Sequence, residues 1–238
     1  MDLEILENEE SYLKGDLKGY PNLSSIRKFN SKGEVLIFPG CSIIFKINKN
    51  TDLFVEIKRL QNYYKKLNLK KNYFYLPSSS FHVTLFDCCN IETLNSNYWP
   101  KGLKKKNNYK EITNKLYYRI NEYRISDIFF FKIKKIFGGY SIILEGNTKN
   151  DEKKIRLCRD KLSDLLKIKF RNHKTYYFHI TIAYLIKYLS DDDSKRIIQL
   201  GNEYLGKMQR KLNVIQLSNP EFCVFDNMLS YNTVRYLY

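Results

Sequence analysis

The strongest constraint on this chain is a five-residue pattern that it carries twice. Phe81-His82-Val83-Thr84-Leu85 and Phe178-His179-Ile180-Thr181-Ile182 both read Phe-His-aliphatic-Thr-aliphatic. Such alternation marks a half-buried strand, and side chains two apart on a strand leave the same face. Each copy therefore sets one imidazole beside one hydroxyl. The chain has three histidines, so this frame takes all but His173.

The surroundings of the two copies also repeat. Ser42–Ile47 reads as a strand. A helix follows from the cap Thr51, with Leu53, Ile57, Leu60, Tyr64 and Leu67 as its apolar stripe. Tyr73–Leu76, a Pro-Ser-Ser-Ser turn, the strand of His82 and Thr84, a helix over Tyr109–Tyr123 and the strand Ile128–Ile136 complete the unit. The second unit runs in the same order. It has a strand at Tyr140–Leu144, a helix at Asn150–Ile168 with Ile155, Cys158, Leu162 and Leu165 in its stripe, and the strand of His179 and Thr181. A helix opening at Ser190-Asp191-Asp192-Asp193 and a strand at Asn213–Leu217 close it. Ile43 precedes His82 by nearly the same distance as Ile142 precedes His179, which argues for internal duplication. Pro220–Met228 begins like a strand and is expected to add an edge or return across the sheet. Residues 1–34 read as a polar N-terminal arm, with regular structure beginning near Val35, and residues 35–238 as one domain with halves at about 35–137 and 138–238.

A chain of 238 residues, 43% hydrophobic, buries a substantial core. No stretch approaches the roughly 20 apolar residues of a membrane span, and the acidic start lacks the form of a signal peptide. The expectation is an intracellular protein, cytoplasmic or nuclear, with no membrane partner and no obligate protein partner. Five cysteines are an odd number without metal-type spacing, and reduced, buried thiols are expected. The formal charge of +16 favours a polyanion such as RNA. A coding bias toward Lys, Asn, Tyr and Ile accounts for lysine equally well. Lys104-Lys105-Lys106-Asn107-Asn108 reads as a solvated loop.

Two imidazoles and two hydroxyls suit one chemistry well. Imidazole titrates near pH 6.5, so one ring can be neutral while another is charged. Across a phosphodiester, the neutral ring takes a proton from the attacking hydroxyl and the charged ring protonates the departing oxygen. Thr84 and Thr181 can donate to the non-bridging oxygens. This scheme needs no metal or cofactor, and the sequence presents no cluster of metal-ligating residues. The candidate catalytic residues are His82, Thr84, His179 and Thr181.

With these motifs the chain resembles the 2H phosphoesterase superfamily. Further segments resemble a branch described as a domain of unknown function: Lys28-Phe29, Phe38-Pro39-Gly40, Leu76-Pro77-Ser78-Ser79-Ser80, Trp99-Pro100, Tyr176-Tyr177, Ala183-Tyr184-Leu185 and Pro220–Met228. Cys41 stands where that branch favours Asn. The resemblance implies an α+β, two-lobed, pseudo-duplicated fold, each lobe a mainly antiparallel sheet with helices outside and an active cleft between them. It implies catalytic roles for the two His-Thr pairs and a nucleotide or RNA substrate bearing a phosphate, either a 2′,3′-cyclic phosphate or an RNA 3′ end. It does not fix the substrate.

The candidate substrate-binding residues are Tyr176, which can stack on a base or serve in packing, and Ser80, which shares parity with His82 and can reach the phosphate or serve as a turn hydroxyl. Tyr184 lies an odd number of positions from His179 and should point away from it. His173 falls in the loop before the second motif strand as a candidate gate to the site, and Asp226 is a candidate for orienting a catalytic ring. Two other readings keep the motifs but drop catalysis: a module that binds RNA or terminal phosphates, and a structural protein with paired core histidines.

Overall fold

The computed structural model describes residues 3–17, 25–69, 71–94, 96–104 and 109–238. Most of the basic loop at 104–108 falls outside the described residues. Strands β1 (Gly40–Lys46), β3 (His82–Asn90), β4 (Phe129–Phe137), β5 (Ser141–Gly146), β6 (Phe178–Thr181), β8 (Ile215–Leu217), β9 (Glu221–Phe225) and β10 (Asn232–Tyr236) form one antiparallel sheet. Its order is β10-β9-β1-β3-β6-β5-β4-β8. With β2 (Tyr73–Tyr75) and β7 (Ala183–Leu185) paired separately, and six α-helices among the described residues, the fold is α+β.

The order mirrors about its centre. Motif strands β3 and β6 lie side by side, each flanked by the opening strand of its own unit, β1 or β5. The next positions are exchanged. Strand β4, which ends the first unit, pairs with β5, and β9 takes the matching place beside β1. The predicted closing strand of the second unit, β8, instead lies at the outer edge beside β4. Its counterpart at the other edge is β10. The two sides of this continuous sheet, β10-β9-β1-β3 and β6-β5-β4-β8, meet at a single paired position, Val83 with Ile180.

Helix α3 (Asp52–Lys65) begins at Thr51, whose hydroxyl accepts from the Phe54 amide. Leu53, Ile57, Leu60 and Tyr64 are buried as their spacing predicts. Helix α4 (Tyr109–Arg119) buries Ile112 and Leu116 and stops before Tyr123. Helix α5 (Lys149–Leu166) starts with a capping box between Thr148 and Asp151 and packs on β3, β4 and β5. Its stripe is Ile155, Cys158, Arg159, Leu162 and Leu166. Leu165, expected inside, is 37% exposed, because the buried face advances to Leu166 and takes in Arg159. Helix α6 (Asp191–Lys211) is capped by Ser190 and packs on β4.

The arm holds regular structure earlier than Val35. Helices α1 (Leu3–Glu7) and α2 (Glu9–Lys14) precede it, and Ile5, Tyr12 and Leu13 are buried. The buried Glu9 carboxylate accepts from the Gly138 amide at 2.5 Å and pairs with Lys135 at 2.6 Å. Lys135 lies near the end of β4 and Gly138 in the β4–β5 turn, where Gly138 and Gly139 both have positive φ. Among the described residues no helix is long and apolar enough to cross a membrane.

Candidate active site

Val83 and Ile180 face each other across the central strands and are fully buried. Their neighbours must leave the opposite face. Extending the antiparallel register sets Thr84 across from His179 and His82 across from Thr181. All four side chains line one cavity of about 840 Å³. Both rings are half-buried and open to it, which disfavours the paired-core-histidine reading.

Each ring is fixed in the same way. His82 Nδ1 lies 2.6 Å from the Ser80 carbonyl, and His179 Nδ1 lies 2.9 Å from the Tyr177 carbonyl. A carbonyl only accepts, so Nδ1 carries the proton in both neutral rings and Nε2 keeps its lone pair. The orienting group is thus the backbone two residues upstream. Asp226 does not line the cavity, and its carbonyl accepts from the Phe38 amide. Burial lowers the pKa of His82, with Lys46 adding to the effect and the Ser80 carbonyl and Asp87 opposing it. Burial pushes His179 down to about 3; the positive charges of His82 and Lys28 act in the same direction and the Tyr177 carbonyl against it.

Strand β3 departs from simple alternation. Ile43 pairs with Phe86 but Ile44 with Thr84, and Cys41 pairs with Cys89 but Ser42 with Asp87. Leu85 and Cys88 are therefore extra residues, each marking a bulge. Between polar positions the strand buries pairs, Leu85-Phe86 and Cys88-Cys89. As a result His82, Thr84, Asp87 and Asn90 all line the cavity. The sequence reading missed Asp87 and Asn90, although polar residues three apart around apolar pairs are the signal.

Arg159 was missed as well. It is 2% exposed, lines the cavity, and lies 4.2 Å from the Tyr176 ring centroid. Its Nη1 donates to the Leu85 carbonyl. A charged residue in the middle of an apolar helical stripe was the available clue. Lys28 also lines the cavity, with its ammonium 5.0 Å from the Phe38 ring centroid and 5.3 Å from that of Tyr184. The Tyr231 ring lies 4.2 Å from that of His82.

The other expected residues divide. Tyr176 lines the cavity, although little of it is exposed. Ser80 does not line it; the side chain is buried and its hydroxyl donates to the Pro77 carbonyl at 2.8 Å. Ser80 meets the site only through its own carbonyl. Tyr184 does line the cavity, against the parity argument. The strand breaks at Ile182, whose amide donates to the Tyr140 carbonyl and whose carbonyl accepts from Gln61, and β7 resumes in the small sheet. His173 is anchored, not gating: it is buried, with Nε2 2.7 Å from Asp160. Cys41 is buried with its sulfur 3.4 Å from that of Cys89, so it faces the core and not the cavity. All five cysteines are buried and free. No group of three or more His, Cys, Asp or Glu among the described residues is placed to hold a metal ion.

Residues 28–139 match the model of a family named 2H-phosphodiest and described as a domain of unknown function (DUF1868). That span contains the first His-Thr motif and stops before the second. Among solved structures, the chain is similar to a conserved protein of unknown function from Agrobacterium tumefaciens str. C58, with a TM-score of 0.90 at 22% identity. The alignment covers 97% of this chain and 99% of that one. At that identity the likeness shows the fold alone. No curated protein matches the chain.

Proposed function

We propose that this protein is a phosphodiesterase in which His82 and His179 act as acid and base without a metal, on a 2′,3′-cyclic phosphate or an RNA 3′ end. The observation that carries the proposal is the matched pair of rings, each held at Nδ1 by a carbonyl and each with Nε2 left for proton transfer. The name of the family matching residues 28–139 agrees with the reaction class.

With phosphorus between the rings, the neutral imidazole removes a proton from water as its oxygen attacks. The protonated imidazole delivers a proton to the ribose oxygen as its bond to phosphorus breaks. Thr84 and Thr181 donate to the two non-bridging oxygens, where charge accumulates. Lys28 and Arg159 supply positive charge in the same cavity. Either ring can take either role, so the product carries a 2′- or a 3′-phosphate. The charge of +16 favours an RNA end over a small metabolite.

The test is hydrolysis of 2′,3′-cyclic nucleotides and of oligoribonucleotides ending in a cyclic phosphate, in chelator, beside His82→Ala and His179→Ala. Each folded variant is expected to lose roughly 10²–10⁴ of the rate. Loss of wild-type turnover in chelator with rescue by one divalent ion would overturn the metal-free mechanism. Tight binding without turnover would establish the phosphate-binding module instead.

A further inference from the structure

The cavity extends well beyond a phosphate. Its volume of about 840 Å³ lies in the range of roughly 300–1,000 Å³ of small-molecule sites. Along β3 it continues from Thr84 to Asp87 and Asn90. Thr84 pairs with Ile44 and Asp87 with Ser42, so the two lie two ladder steps apart, or about 7 Å. That places Asp87 beside the body of a nucleotide whose phosphate rests between the histidines.

Within the protein Asp87 acts chiefly through its charge, which favours the cationic forms of His82 and Arg159. Its one hydrogen bond among the described residues is from the Ser42 hydroxyl at 3.4 Å, near the limit for such a bond. It forms no ion pair with any described residue. An anionic phosphate is repelled by it, so the part of a ligand that reaches it must present hydrogen-bond donors. Flat groups line the same cavity, Tyr176, Tyr98 and Phe170, with the Tyr98 and Phe170 centroids 5.5 Å apart. A planar ring resting among these side chains would direct its edge at the carboxylate. Asn90 lies beyond, with Oδ1 already accepting from the amides of Glu92 and Thr93, so its amide nitrogen is left as a donor.

We infer that Asp87 is a specificity residue that accepts a hydrogen bond from the amino group at C4 of cytosine or C6 of adenine, favouring these bases over uracil and hypoxanthine, which carry a carbonyl there. A carbonyl oxygen opposite the carboxylate would leave two acceptors facing one another with no proton between them. This inference rests on the phosphate site proposed above.

Matched ligands isolate the one group. Cytidine and uridine 3′-monophosphates differ at a single amino-to-carbonyl exchange, as do adenosine and inosine 3′-monophosphates. Titration calorimetry is expected to show the amino member of each pair bound about tenfold or more tightly by the wild type. Asp87→Asn should bring each pair within about threefold, and Asp87→Ala provides a second variant should the first be unstable. Equal affinities in the wild type, or an undiminished preference in both variants, would overturn the inference, and so would absence of nucleotide binding. Turnover of the matching 2′,3′-cyclic phosphates separates the two proposals. Amino preference in binding without hydrolysis leaves this inference standing and removes catalysis; hydrolysis without preference does the reverse.

Discussion

Arg159 donates from Nη1 to the carbonyl of Leu85, the residue that the first bulge of β3 leaves without a partner on β1. A buried carbonyl left unpaired costs about 1–3 kcal/mol. Arg159→Met keeps the length of the stem but removes the donor. A loss of about 1–3 kcal/mol is expected in urea unfolding, together with weaker turnover, since the bulge sets where Thr84 and Asp87 point. An unchanged midpoint would show that the bulge holds without it.

The two imidazoles predict an acidic profile. Both pKa values lie below the ordinary 6.5, His179 at about 3. The singly protonated pair is most abundant between the two values, so kcat/KM should be bell-shaped with its maximum below pH 6.5. A bound phosphate favours protonation, so the maximum of kcat should lie at higher pH than that of kcat/KM. A kcat/KM maximum above pH 7 would contradict burial as the dominant influence. The same shifts govern stability. Below pH 6.5 the unfolded chain binds more protons at these rings than the folded one, so stability should fall as the pH drops. His179→Gln should flatten that decline in thermal unfolding.

The threonine hydroxyls are open to a near-isosteric test. Thr84→Val and Thr181→Val keep the β-branched shape and remove one donor each. Each is expected to lower kcat by roughly 10²–10³ with little effect on folding. Serine at either position should restore most of the rate. Equal loss in the serine and valine variants would mean that shape, not the hydroxyl, matters.

Glu9 tethers the N-terminal helices to the β4–β5 turn. Glu9→Ala leaves half-buried Lys135 without its carboxylate, keeping only the Leu6 carbonyl, and the Gly138 amide without an acceptor. A cost of about 1–3 kcal/mol is expected in denaturant unfolding. Faster proteolysis within the first 14 residues should accompany it.

Much of the fold was legible because its signals are local. Stripes and caps placed α3, α5 and α6 to within a few residues, and repetition of the His-Thr frame led to paired strands. The rest depends on contacts between distant segments. No alternation in the sequence announces that β4 leaves its own unit to pair with β5. Bulges at Leu85 and Cys88 change a period of two into one of three, and so brought Asp87 and Asn90 into the cavity unnoticed. Tyr184 failed the parity argument because the strand changes sheets at Ile182. Ser80 failed it because a turn hydroxyl satisfied itself on Pro77. Arg159 was hidden by the ordinary expectation that arginines on a helix face water.

Strands β3 and β6 share one paired position, and each carries one of the two rings. Every bond that orients a ring, from Ser80 to His82 and from Tyr177 to His179, stays within its own half. The aim of each ring is thus set locally, while the gap between them is set by how the two sides of the sheet meet. The joint is braced from outside the sheet, by the β2–β7 pairing and by Gln61, whose amide donates to both the Leu76 and Ile182 carbonyls, and these braces set the span that a phosphorus atom must fit.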